Sequence, residues 1–111
     1  MIRALLGYQL LHMADEDLVL FVRNDNICFT LDNLMDSGWV TLDAIYSCDS
    51  EESDDHVLLT YYLNSNNCQH KTIAVQVLIN RYENWHSVGH IFHNANYFEE
   101  IIMKEKYITF I

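Results

Sequence analysis

The sequence contains no proline, only three glycines and few basic residues, and each shortage narrows what the chain can do. Without proline or a glycine-rich stretch nothing marks a linker, so we expect residues 1–111 to form a single domain. Six basic residues against sixteen acidic ones give a formal charge of −10, which disfavours binding to nucleic acid and to anionic membrane surfaces. The sequence also lacks a glycine-rich phosphate-binding loop and the G-x-S-x-G turn that carries a catalytic serine. We therefore expect a protein that is not an enzyme by itself and holds no cofactor.

Long hydrophobic runs are absent as well. Apolar runs such as Asp17–Val22 are far shorter than the roughly 20 residues that a membrane-spanning helix needs. The first residues build no apolar core of the length that a signal peptide requires. The cysteines are odd in number and include no C-x-x-C pair. We therefore expect a cytoplasmic protein in which Cys28, Cys48 and Cys68 are reduced thiols.

Half of the residues are hydrophobic, and their spacing alternates between the period of a strand and that of a helix. Strands are predicted over residues 8–13, 18–23, 40–46, 56–63 and 72–79. Helices are predicted over residues 27–37, around residues 87–92, and in the region that follows Asn94 or Asn96. The order strand–strand–helix–strand–strand–strand–helix predicts an α+β fold, a two-layer sandwich whose mixed sheet of about five strands carries helices on one face.

The sequence also predicts where the first helix begins and ends and which face of the last helix is buried. Asn26 is predicted to cap the first helix, and Gly38 to end it in a left-handed conformation. The last helix is expected to bury one apolar stripe, which consists of Tyr97, Phe98, Ile101 and Ile102. The apolar residues 107–111 are expected to be pinned to the core.

An acidic segment over residues 48–55 is a candidate cation site. Its five carboxylates are Asp49, Glu51, Glu52, Asp54 and Asp55. Carboxylate oxygens are the ligands that Ca²⁺ prefers, but the segment lacks the glycine and the flanking helices of an EF-hand. A solvated loop between two strands is therefore predicted, with calcium binding as the alternative.

Three histidines, His86, His90 and His93, form the second candidate site. On a continuous helix their spacing would place three imidazoles on one face, where they could hold Zn²⁺ or another divalent metal. The general base that zinc enzymes keep nearby is missing, and Gly89 weakens a helix at this point. We expect no bound metal, and a small metal-binding module built on these histidines is the alternative.

The last quarter of the chain carries an ordered pattern, made of Ser87, Val88, Ile91, Phe92, Ala95, Tyr97, Glu99, Ile108 and Phe110. This pattern resembles the signature of the respiratory-chain thirty-kilodalton subunit family. That family includes the thirty-kilodalton subunit of NADH:quinone oxidoreductase, which is complex I, and small accessory subunits of energy-converting nickel–iron hydrogenases. The family has arginine, glutamate, an acidic residue and glycine where this chain has Glu100, Ile101, Lys104 and Tyr107. Residues 34–49, 57–63 and 73–78 resemble the family's helix and strands, so the resemblance covers nearly the whole chain.

The resemblance implies a non-catalytic accessory subunit of a membrane-bound complex of the NADH dehydrogenase or hydrogenase type. The implied partners are the hydrogenase-like large subunit and its iron–sulfur small subunit, at the inner face of the cell membrane. The chain would touch the membrane only through the complex. The candidate interface residues are Tyr97, Phe98, Glu99, Tyr107 and Phe110. A free-standing acidic adaptor that binds a basic partner is a further alternative.

Overall fold

The computed structural model describes residues 8–14, 17–23, 26–49, 55–64, 72–106 and 108–111. In these ranges the elements in chain order are β1 (Tyr8–Ala14), β2 (Asp17–Val22), α1 (Ile27–Asp36), β3 (Thr41–Asp49), β4 (His56–Asn64), β5 (Ile73–Asn80), β6 (Asn84–Trp85), α2 (Ala95–Lys106) and β7 (Thr109–Phe110). The predicted α+β class is confirmed. None of the helices in this part of the chain has the length and hydropathy needed to cross a membrane.

Five strands form one mixed sheet, in the order β1–β2–β5–β4–β3. The neighbours β2 and β5 run parallel, whereas the other three pairs are antiparallel. The short strands β6 and β7 form a separate parallel pair, in which Trp85 lies opposite Phe110. Within the described ranges the outer strands of this sheet are β1 and β3, and β3 pairs there with β4 alone.

One face of the sheet forms the core together with the helices. Side chains alternate along a strand, so every second residue of β4 and β5 points to the same face. On that face lie the buried residues Val57, Leu59, Tyr61, Leu63, Ile73, Val75, Val77 and Ile79. They belong to one hydrophobic cluster with the buried apolar residues of α1 and α2. Burying each large aliphatic side chain stabilises the fold by about 2 kcal/mol relative to leaving it exposed.

Helix α1 ends as the sequence predicts. Gly38 has a φ of 105°, a conformation that a residue with a Cβ rarely adopts. Its N–H donates to the carbonyl of Met35 at 3.1 Å, and the N–H of Trp39 donates to the carbonyl of Leu34 at 2.9 Å. These two bonds form a Schellman motif. At the other end Asn26 occupies the N-cap position, but its side chain makes no capping hydrogen bond.

The structure differs from the prediction at residues 87–92 and at the end of β3. Residues 87–92 form a single turn, closed by the N–H groups of Ile91 and Phe92 on the carbonyl of Val88, rather than a helix. The N–H of Ser87 donates to the carbonyl of Ile111 at 2.8 Å, which ties the start of this segment to the end of the chain. In addition, β3 continues to Asp49, because residues 47–49 still pair with β4 where a loop was expected.

The predicted stripe of α2 is correct for half of its members. Ile102 is buried and Phe98 packs partly against the core, whereas Tyr97 is 66% exposed and Ile101 is 38% exposed. The buried face of the helix passes through Ala95, Glu99 and Ile102 instead. The C-terminal segment is pinned as predicted, since Ile108 is buried and the N–H of Ile111 donates to the carbonyl of Trp85 at 2.7 Å.

Candidate functional site

Helix α2 is held in place by the buried carboxylate of Glu99, which is only 3% exposed. The hydroxyl of Ser87 donates to Oε1 at 2.7 Å, and the N–H of Val88 donates to Oε2 at 2.9 Å. The carboxylate therefore connects the middle of α2 to the segment that follows β6. Its negative charge also acts on the buried Tyr61 and on the half-buried Cys28. Burial is the main reason why the pKa values of Tyr61 and Cys28 are raised, and Glu99 raises both further.

The two ends of α2 are tied to β3. Before the helix, the side-chain amide of Asn94 donates to the carbonyl of Leu42 at 2.7 Å. At its last turn, Lys106 lies 3.2 Å from a carboxylate oxygen of Asp49, and Arg81 lies 2.9 Å from the same oxygen. The hydrogen bond and charge of Lys106 lower the pKa of Asp49, and Arg81 contributes in the same direction. Helix and strand thus form one rigid border of the molecule.

The structure separates the predicted interface residues by exposure. Tyr97 is 66% exposed and its ring meets that of Phe98 edge to face, with the centroids 5.4 Å apart. Phe98 and Phe110 are half-buried and pack against the core. Glu99 has its partners inside the molecule, and Tyr107 lies outside the described residues. Partner contact by any of these residues stays a prediction.

Two depressions border β3 on the side that carries α2. One, of about 280 Å³, lies between residues 44–47 of β3 and one side of α2, where it is lined by Phe98, Ile101, Ile102 and Glu105. We call it the β3–α2 groove. The other, of about 390 Å³, lies between Val40 and the first two residues of β3, Met35 of α1 and residues 91–94. Both are open to solvent and mostly apolar.

The three histidines do not share a helical face. His86 follows β6, while His90 and His93 lie in the turns that precede α2, and all three are exposed. In the part of the chain that the structure describes, no three histidine, cysteine or acidic side chains are grouped closely enough to hold a metal ion. The expectation of a metal-free protein remains a prediction.

The acidic segment is only partly described. Asp49 belongs to β3 and pairs with Lys106 and Arg81, and Asp55 lies in a turn before β4. Glu51, Glu52 and Asp54 lie outside the described residues, as does Cys68. Cys28 and Cys48 are free thiols, Cys28 half-buried and Cys48 exposed. Calcium binding by this segment stays open to experiment.

The fold is shared with chains of known respiratory proteins. A chain of the membrane-bound sulfane sulfur reductase, an archaeal respiratory membrane complex, has a TM-score of 0.87 over 98% of this chain at 17% identity, and this chain covers 65% of it. A trypsin-resistant fragment of Nqo5, a complex I thirty-kilodalton-type subunit, has a TM-score of 0.82 over the same 98% at 17% identity, with 89% of the fragment covered. No protein-family model and no curated protein sequence matches the chain. The resemblance predicted from the sequence is confirmed as a likeness of fold.

The residues that match the family pattern lie mostly inside the molecule. Five of them are buried, namely Val88, Phe92, Ala95, Glu99 and Ile108. The departures lie elsewhere: Glu100, Ile101 and Lys104 are exposed on α2, and Tyr107 is outside the described residues. Most of the matching residues thus lie in or against the core, whereas Tyr97 and the described departures lie at the surface.

Proposed function

We propose that this chain is a non-catalytic accessory subunit of a membrane-bound oxidoreductase complex of the NADH:quinone oxidoreductase or energy-converting hydrogenase type. The observation that carries the proposal is the likeness of nearly the whole chain to chains of two respiratory proteins. That likeness extends over 98% of this chain, at 17% identity in both comparisons.

The proposed task is to dock against the hydrogenase-like large subunit and to help fix it beside its iron–sulfur partner. The surface of α2 supports this proposal, because Tyr97 and Ile101 expose apolar side chains on a helix that is anchored at its middle and at both ends. A rigid surface with exposed aromatic and aliphatic residues loses little conformational freedom when a partner covers it. The chain would reside at the inner face of the membrane through the complex alone.

Affinity purification from the source organism tests the proposal directly. The tagged chain is expressed in its own host, membranes are solubilised, and the recovered proteins are identified by mass spectrometry. We expect a hydrogenase-like large subunit and an iron–sulfur subunit in amounts close to that of the tagged chain. Recovery of the chain alone, or with a basic protein from the soluble fraction, would contradict the proposal and favour the acidic adaptor.

Two exposed tyrosines provide a matched pair of variants for the same purification. Tyr97 is 66% exposed on α2, whereas Tyr82 is 76% exposed in the turn after β5. We expect Tyr97→Asp to reduce recovery of the large subunit and Tyr82→Asp to leave it unchanged, because an aromatic residue at an interface centre contributes far more than one outside it. If Tyr82→Asp reduces recovery of the large subunit and Tyr97→Asp does not, the docking surface does not lie on α2.

A further inference from the structure

The outer edge of β3 carries backbone groups that no described neighbouring strand pairs with. An antiparallel edge strand directs the N–H and C=O groups of alternate residues away from its one neighbour. Among the described residues, no backbone group of residues 44–49 bonds to backbone outside the sheet. Near the start of the strand the carbonyl of Leu42 is occupied by Asn94, so the free edge begins after the bulge between Leu42 and Ala44.

The β3–α2 groove runs along this free edge. Its β3 wall consists of four consecutive residues, 44–47. Successive side chains of a strand point to opposite faces, so four lining residues in a row favour a depression at the edge of β3 over one confined to a single face. The opposite wall consists of positions 98, 101, 102 and 105 of α2, which recur at the spacing of one helical face. Helix α2 and strand β3 therefore form the two walls of the β3–α2 groove. Its lining is mostly apolar, and the outer edge of β3 supplies backbone N–H and C=O groups.

The β3–α2 groove carries a negative charge at one end, at Glu105. Of the described residues that line it Glu105 alone is charged, and the whole chain carries a formal charge of −10. The nearby cation Lys106 is already held by Asp49. A positively charged side chain would therefore be attracted to this end of the groove, whereas a second copy of this acidic chain would be repelled.

We propose that the partner subunit inserts an extended segment into the β3–α2 groove, where it adds a strand to the outer edge of β3. Its apolar side chains contact Phe98 and Ile101, and a lysine or arginine of the same segment reaches Glu105. Strand addition of this kind obtains affinity from main-chain bonds and specificity from the alternating side chains. The inference deepens the proposed function and rests on it for the identity of the partner.

Helix α2 provides a control of nearly equal exposure for the apolar contact. Ile101 lines the groove and is 38% exposed, and Met103, which does not line it, is 37% exposed. The two side chains point about 160° apart around the helix. In the purification from native membranes we expect Ile101→Asp to lower recovery of the partner at least about tenfold, and Met103→Asp to change it less than about twofold.

A second pair of variants tests the charge. Glu105 lines the groove, whereas Glu100 is exposed on another side of the same helix. We expect Glu105→Lys to lower recovery about threefold or more and Glu100→Lys to change it little, since reversing a charge replaces attraction by repulsion. Equal losses for both members of either pair would overturn the inference. If the unaltered chain recovers the large subunit and all four variants do so equally well, the docking subunit stands and strand addition is wrong.

The inserted segment itself can be identified by cross-linking. Tyr46 lines the groove and is 63% exposed, so a photoreactive benzoylphenylalanine at this position would lie beside the added strand. The expected product is a partner peptide with alternating apolar residues and at least one lysine or arginine. A cross-link to a second copy of this chain, or to an acidic peptide, would overturn the inference. Failure of the unaltered chain to recover any complex would instead overturn the proposed function.

Discussion

Glu99 and Asp49 both tie helix α2 to the rest of the molecule, but they do so in opposite surroundings. Glu99 is 3% exposed and accepts hydrogen bonds from a hydroxyl and a backbone N–H, both neutral groups. Asp49 is exposed, and its carboxylate meets the cations Arg81 and Lys106. Water screens the second arrangement and not the first, so the two carboxylates should differ widely in what their removal costs.

The largest effect is expected for Glu99→Ala. This change leaves the buried N–H of Val88 and the half-buried hydroxyl of Ser87 without their acceptor. We expect the free energy of unfolding to fall by about 3 kcal/mol, as measured by urea denaturation. Glu100→Ala on the exposed side of the same helix is the control, with an expected change of less than about 0.5 kcal/mol.

A loss for Glu99→Ala as small as that for Glu100→Ala would mean that solvent replaces the lost acceptor. Glu99→Gln is the intermediate case, because its amide oxygen can still accept from Val88 while the hydroxyl of Ser87 rotates to accept from its NH₂ group. We expect this variant to retain most of the stability.

The second effect concerns the donor side of the same contact. Ser87→Ala removes one of the two hydrogen bonds to Glu99 and also the bond that the N–H of Gly89 makes to the Ser87 hydroxyl at 3.1 Å. We expect a loss of about 1 kcal/mol in the free energy of unfolding. Combined with Glu99→Ala, the loss should be smaller than the sum of the two, and strict additivity would argue against a direct coupling between these residues.

The strands of the main sheet could be predicted from the sequence to within a few residues because their signal is local. Alternating or continuous apolar residues between turn-forming segments specify β4 and β5 without knowledge of their partners. Gly38 was equally informative, because glycine adopts without strain the left-handed conformation that ends a helix. The two-residue strands β6 and β7 are too short to carry any periodic signal.

Glu99 shows why the candidate site was harder to predict than the fold. Its donors lie 11 and 12 residues earlier in the chain, in a segment whose spacing favours a helix that does not form. One signal was present: Glu99 shares a helical face with Ala95 and Ile102, and a carboxylate between small and apolar neighbours indicates a buried partner. The aromatic residues Tyr97 and Phe98 favoured a stripe centred elsewhere on the helix.

The third effect is expected to be smaller and to depend on conditions. The pKa of Asp49 is lowered in the folded chain, so the pairs with Lys106 and Arg81 stabilise the fold above the pKa of the unfolded carboxylate. That contribution is lost as the pH falls through the lowered pKa, below about 4. We expect Asp49→Asn to be slightly less stable than the unaltered chain at neutral pH and low salt. The difference should vanish at low pH or in about 1 M salt. Salt screens the attraction between exposed charges. If the difference in stability persists in high salt, Asp49 stabilises the fold through contacts other than these ion pairs.

The smallest effect is a change in the reactivity of one thiol. Burial raises the pKa of Cys28, and the charges of Glu99 and Asp32 raise it further. Glu99→Gln keeps the burial and removes one of these charges, so the pKa of Cys28 should fall while remaining above its ordinary value. Alkylation by iodoacetamide follows the thiolate, and its rate as a function of pH measures this shift in a chain that carries Cys48→Ser and Cys68→Ser. The same substitution at Glu100, Glu100→Gln, is the control. An unchanged pKa of Cys28 in the Glu99→Gln chain would show that the buried carboxylate is shielded from the thiol, and that its influence ends at Ser87 and Val88.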